Sequence, residues 1–279
     1  MKIMKYISLI LAVVLMVSCE KHEIQYDAEP VADMAEFQLH YYVPVTAVAA
    51  NNITKVEINS KLYANTRAPL ATYNVIPSGA VGRFYTVNPG SVQIKMYQGV
   101  DMTTLVYDKT VTLTSGKQNV VVHDFAQIPK VFDNGFPYEA VMTTLTDSTA
   151  WIKFYNFLYE SAGVPTTKKL QYQYISTRTS ALVNIGTPVA FGESTGWEKI
   201  TVVKTDLISQ GARTISFRIK EVDDSGVVIG DLQVMGTGGA FAAYTATSSL
   251  TIGRRYHHTM AGFRAVASPN SSVRVFTAL

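Results

Sequence analysis

Short runs of alternating apolar and polar residues, divided by turn residues, limit the fold of this chain more than any other feature. Phe37-Gln-Leu-His-Tyr-Tyr-Val43, Lys55 to Ile58, Ser91 to Tyr97 and Asn119 to His123 all show a period near two. That period puts successive side chains on opposite faces of a strand, as suits half-buried β structure. Asn88-Pro-Gly90 and Ser115-Gly-Lys117 are turn sequences between such runs. No stretch of ten or more residues carries a helical period. A 47% apolar content with 16 tyrosines and 12 phenylalanines supplies a packed core and argues against disorder.

The pattern recurs. Ala35-Glu-Phe-Gln-Leu-His aligns with Ala150-Trp-Ile-Lys-Phe-Tyr, and Lys55-Val-Glu-Ile with Lys169-Leu-Gln-Tyr. Farther on, Val92-Gln-Ile-Lys matches Ile215-Ser-Phe-Arg, and Leu113-Thr-Ser-Gly116 matches Leu250-Thr-Ile-Gly253. The growing offset places insertions in the second copy, chiefly between Asp223 and Thr247. The expectation is an all-β chain of two tandem antiparallel β-sandwich domains of immunoglobulin-like type. The first spans 34–132, the second 150–279, and 133–149 forms the junction.

The sole cysteine, Cys19, follows a basic, apolar leader, 1–18, in which Lys2 and Lys5 precede the run Ile7 to Val17. Such a run is shorter than the roughly 20 apolar residues that span a bilayer, so it reads as an export signal. Leu15-Met16-Val17-Ser18-Cys19 resembles the bacterial lipobox, with Met16 in place of the usual leucine. The resemblance implies acylation of Cys19, a membrane partner reached through lipid alone, and no thiol left for disulfides. Residues 19–33 are polar and aperiodic, as a tether would be. Glu20, Lys21, His22 and Glu23 resemble the charged export signal of Bacteroidetes surface lipoproteins, which implies the outer membrane and its outer face.

Lys2 and Lys5 account for two units of the +3 formal charge. Near neutrality and 16% charged residues leave no electrostatic footprint for nucleic acid.

The order of features resembles that of tandem β-sandwich lipoproteins of unknown function from Bacteroidetes. It rests on an opening aromatic strand (Phe37 to Val43; Trp151 to Phe157) and a short second strand (Lys55 to Tyr63; Lys169 to Ile175). A glycine-containing turn (Ser78-Gly79; Gly192) and a closing hairpin (Val111 to His123; Leu250 to Phe263) complete it. The resemblance implies a cell-surface binding or structural module and brings no catalytic residues and no cofactor.

Gly192-Glu-Ser-Thr-Gly196 matches G-x-S-x-G, with Asp223, Asp224, Asp231, His257 and His258 downstream in hydrolase order. A nucleophile elbow needs a strand, a sharp turn and a helix, whereas Trp197-Glu-Lys-Ile-Thr-Val-Val203 reads as strand. A non-enzyme is therefore expected. His257-His258 would point to opposite faces of a strand and so do not chelate one ion, and partly exposed histidines are the expectation there. With His22, His40 and His123 scattered, no metal site is expected. Asp223-Asp-Ser-Gly226 reads as a hairpin turn rather than a calcium loop, and Gly236-Thr-Gly-Gly239 as a flexible loop.

Candidate ligand contacts are the two indoles, Trp151 and Trp197, and Tyr172 with Tyr174, which share one sheet face. Aromatic platforms stack on sugar rings, although aromatic residues on strands belong more often to a core. Asp147-Ser148-Thr149 matches the short O-glycosylation pattern of exported Bacteroidetes proteins. Two functional classes follow: a non-catalytic surface module that binds a glycan or protein, or a structural subunit of a fimbria-like assembly built by strand addition. In the latter, Arg67 is the candidate cut site, and cutting there would remove two strands.

Overall fold

In a computed structural model that describes residues 33–77, 82–136, 149–202, 212–266 and 271–278, the described residues form mainly strands, with a 3-10 turn at Ala49–Asn51. The first half contributes β1 (Ala35–Tyr41), β2 (Lys55–Ile58), β3 (Lys61–Ala64), β4 (Asn74–Ile76), β5 (Tyr85–Val87), β6 (Gly90–Gln98), β7 (Thr104–Leu113), β8 (Gly116–Val122) and β9 (Lys130–Asp133). The second contributes β10 (Thr149–Ser161), β11 (Val164–Pro165), β12 (Lys169–Ile175), β13 (Leu182–Val189), β14 (Glu198–Thr201) and β15 (Ala212–Val222). It continues with β16 (Val228–Asp231), β17 (Gln233–Met235), β18 (Phe241–Ala243), β19 (Thr245–Thr251), β20 (Arg255–Phe263) and β21 (Ser272–Thr277).

Each half forms two main sheets of closely similar order. In the first half these are β4-β1-β8-β9, with β5 also on β1, and β3-β2-β6-β7. In the second they are β11-β10-β20-β21, with β14 also on β10, and β13-β12-β15-β16, with β19 also on β15. Among the described strands no ladder joins the halves.

Alternation explains the cores. Phe37, Leu39 and Tyr41 of β1 pack with Val56 and Ile58 of β2 and with Val92, Ile94 and Met96 of β6. Ile152 and Phe154 of β10 do the same with Leu170 and Tyr172 of β12 and Phe217 of β15. Each core is therefore filled from two sheets, and burying one such large apolar side chain is worth about 1.5–3 kcal/mol.

Two expectations need correction. The sheets are mostly antiparallel, but β1 runs parallel to β8 and β10 runs parallel to β20. A parallel pair needs a long crossover, and the other sheet of each half supplies it, since β2, β6 and β7 lie in sequence between β1 and β8. The opening strands are also buried on both faces, not one. Opposite the core-facing residues, Gln38 and His40 of β1 are 0% and 2% exposed, because a third apolar cluster covers that side. It joins Tyr42, Tyr73 and Val121 of the first half to Tyr155, Phe157 and Ala261 of the second. The β1 and β10 sheets thus meet back to back along a seam, and residues 33–279 form one unit.

The second half is longer where its sequence outgrows the first. β16, β17 and β18 are inserted between β15 and β19. Asp223 makes the turn into β16, accepting the Gly226 N–H at 3.1 Å and, through Oδ1, the Val227 N–H at 2.8 Å.

Candidate functional site

The seam is polar at its centre. Asn119 of β8 lies between His40 of β1, whose Nε2 is 3.1 Å from its Oδ1, and His257 of β20, whose Nε2 is 3.3 Å from its Nδ2. An amide oxygen only accepts and an amide nitrogen only donates, which sets both tautomers. His40 donates from Nε2 and accepts at Nδ1 from the Tyr42 hydroxyl, 3.2 Å away. His257 accepts at Nε2 and donates from Nδ1 to the Tyr155 oxygen at 2.9 Å. The five groups form one directed chain of hydrogen bonds, closed to solvent. Burial lowers the His40 pKa to about 4 against the pull of Asn119, and burial, with His40 and Lys153 adding to it, holds His257 well below the ordinary range. Both rings are neutral at neutral pH.

At one end the seam opens into a cleft. A cavity of about 410 Å³ is lined by His123, Asp124, Lys130, Tyr159, Pro165 and Phe191, among others, and a second of about 140 Å³ shares His123, Asp124, Tyr159 and Gly163 with it. The first lies in the range of small-molecule sites. Its walls come from both halves: the segment between β8 and β9 on one side, β10, the β10–β11 turn and the loop after β13 on the other. The aromatic wall is packed ring against ring, with Phe191 edge-on to Tyr159 at 4.9 Å and to His123 at 5.6 Å between ring centres. Lys130 crosses over Gly192, where an added Cβ would stand 3.2 Å from its Cε. The glycine makes room for the cation to lie against the second half.

The candidate residues read from the sequence lie elsewhere. Tyr172 is wholly buried, stacked between Phe154 at 4.4 Å and Phe217 at 5.1 Å, with its hydroxyl 2.8 Å from His258 Nδ1. Tyr174 is 6% exposed and belongs to the same core. They do share a face, but it is the inner one, so neither presents a surface to a ligand. Trp151 and Trp197 are half-buried and sandwich Phe136 edge-on, at 5.4 and 5.1 Å. The Trp197 indole N–H donates to the Asn134 carbonyl. The indoles therefore pack on the start of the junction and are separate from the cleft. Cys19, the leader 1–18 and the tether up to Ala32 lie outside the described residues, as do 137–148 of the junction with Asp147 and Ser148.

Gly192 to Gly196 is a turn that docks on β10. Glu193 and Phe154 carbonyls accept the N–H groups of Asn156 and Thr195, Ser194 bridges to Tyr155, and the chain continues into β14 without a helix. His257 and His258 point to opposite faces, as their adjacency predicts, but both are buried rather than partly exposed, because each face of β20 carries a core. Among the described residues no group of three or more His, Cys, Asp or Glu stands ready for a metal. Arg67 sits exposed in a tight turn after β3. A cut there would detach three strands rather than two, and β1 is internal to its sheet.

The cleft residues escape a reading of the sequence because they meet only in the fold. Among them, His123 at the end of the apolar run of β8 was the available signal, as His40 and Asn119 on their strands were for the seam.

No family model matches the chain, and no curated protein matches it. The chain is similar to a solved structure described as a "putative cell adhesion protein" from Bacteroides fragilis, at 11% identity over 88% of this chain and 97% of that one, with a TM-score of 0.23. At that level the likeness fixes neither fold nor function.

Proposed function

We propose that this protein is a non-catalytic binding module held at the bacterial outer surface by an acylated Cys19, with its two recurring sheet pairs acting as tandem immunoglobulin-like sandwich domains. The cleft at the end of the seam carries the reading. It is concave, walled by aromatic rings locked in the packing, and equipped with a few convergent polar groups, the combination expected of a ligand site. Ser194 is bound into a turn against β10, and the seam histidines are committed to a closed hydrogen-bond chain, so neither is set up for nucleophilic chemistry. The fimbrial-subunit reading fares worse, because release of β1 after Arg67 would open the first core as well as the seam.

The reading is tested by expressing the full chain in a Bacteroidetes host. Palmitate incorporation that disappears in Cys19→Ser, together with loss of the protein when intact cells are treated with protease, is expected. A chain that takes up no palmitate or resists protease on intact cells contradicts the location. A glycan and surface-protein array probed with the same chain is expected to give a ligand, and binding that is unaffected by changes in the cleft contradicts the site.

A further inference from the structure

The polar groups of the cleft narrow the ligand further, on the reading of the protein as a binding module. The Tyr159 hydroxyl lies 3.1 Å from the His123 carbonyl and 2.9 Å from His123 Nδ1. A carbonyl only accepts, so the tyrosine proton goes there and Nδ1 must carry its own proton, donated to the tyrosine oxygen. Nε2 is left with its lone pair. No described residue takes that lone pair, and it is not among the sealed, unpaired atoms of the interior. The space His123 borders is the cleft. Burial, with Lys130 assisting against Asp124, lowers the His123 pKa, so the ring is an acceptor at neutral pH.

Asp124 spends Oδ1 on the Ala126 N–H at 2.8 Å, which leaves its second oxygen as another acceptor. Lys130 adds a donor. One carboxylate and one ammonium line the same cavity, so neither a cationic nor an anionic ligand gains without also meeting a like charge. A neutral ligand rich in hydroxyl groups has no such conflict. Phe191 and Tyr159 offer ring surface for an apolar C–H face.

We propose that the cleft binds a neutral pyranose, whose hydroxyls donate to His123 Nε2 and Asp124, whose oxygen accepts from Lys130, and whose C–H face lies on Phe191. The separation between the Trp151–Trp197 pair and the cleft makes the assignment testable against the alternative aromatic platform.

Saturation-transfer NMR on the purified full chain would use the methyl pyranosides of glucose, galactose, mannose and fucose, with glucosamine and glucuronate as charged comparators. At least one neutral pyranoside is expected to show transfer, stronger than either charged sugar. Binding should weaken roughly tenfold in Asp124→Asn, the loss of one charge-assisted hydrogen bond, and persist in Trp197→Ala. Asp124 is at the rim, and Lys130→Met gives a second rim change should the first disturb folding. Transfer favouring glucosamine or glucuronate would overturn the ligand class while leaving the binding module intact. Neutral-sugar binding that survives both rim changes would overturn the cleft. Transfer from none of the sugars would overturn the proposal, and a ligand found on the array would then keep the broader reading alive.

Discussion

Asn119 donates from Nδ2 to His257 Nε2 over 3.3 Å, joining strands 138 residues apart in sequence at the centre of the buried seam. A proton added to His257 would face that donor head-on. Turning the Asn119 amide to accept it would set the same clash against the Nε2–H of His40. With the Asn119 amide as it stands, that donor keeps His257 neutral, and burial keeps His40 neutral beside it.

Acid should therefore loosen the protein before its carboxylates titrate. The folded pKa values of His40 and His258, lowered by burial to about 4 and about 3, lie below the ordinary 6.5 of the unfolded chain. Below pH 6.5 or so the unfolded state takes up protons that the folded state refuses, so stability is full above that pH and declines toward 4. For His40 alone the loss at pH 5 is on the order of 2 kcal/mol. Urea midpoints measured from pH 7.5 to 4.5 should fall, and fall less steeply in His40→Gln. A flat profile would refute the neutral seam.

In the second core, Tyr172 and His258 should prove strongly coupled. Their hydrogen bond is wholly buried, and His258 Nε2 has no partner among the described residues. Tyr172→Phe strands a second histidine nitrogen and should cost about 1–3 kcal/mol. Replacing both, Tyr172→Phe with His258→Leu, removes the stranded groups and should recover most of that. A double-mutant cycle by chemical denaturation measures the coupling.

The all-β character and the site of the insertion are legible in the sequence, the first in local alternation and the second in the growing offset of the repeat. Phe37, Leu39 and Tyr41 announce a strand and its inner face, and Asp223 to Gly226 announces a turn. The back-to-back seam is not legible. Gln38, His40 and Asn119 look like the solvated faces of half-buried strands, until the polar face of one sheet meets its counterpart on another. Parallel pairing of β1 with β8 is hidden for the same reason, since alternation does not encode strand direction. Tyr172 and Tyr174 show the converse error: shared parity reveals a common face but not which side is wet.

Arg264 should hold the inserted strands to the body. Its guanidinium grips Glu221 at 2.6 and 3.0 Å and donates through Nε to the Gln233 carbonyl at 2.8 Å, while its own carbonyl accepts from Met235. Lysine cannot reproduce that fork. Arg264→Lys should raise hydrogen exchange across β17 and β18 while β1 and β8 stay protected, at a global cost of about 2 kcal/mol. Uniform exchange across the chain would contradict the local clamp.

Blocking the cleft tests the account most directly. In a Cys19→Ser background the chain has no cysteine, so Ala162→Cys, exposed at the cleft wall, can be labelled alone with a bulky maleimide. The same label on Leu105→Cys, on exposed β7, serves as control. Binding of the most responsive methyl pyranoside should vanish with the label at 162 and persist with it at 105. Undiminished binding to the plugged protein would contradict the account.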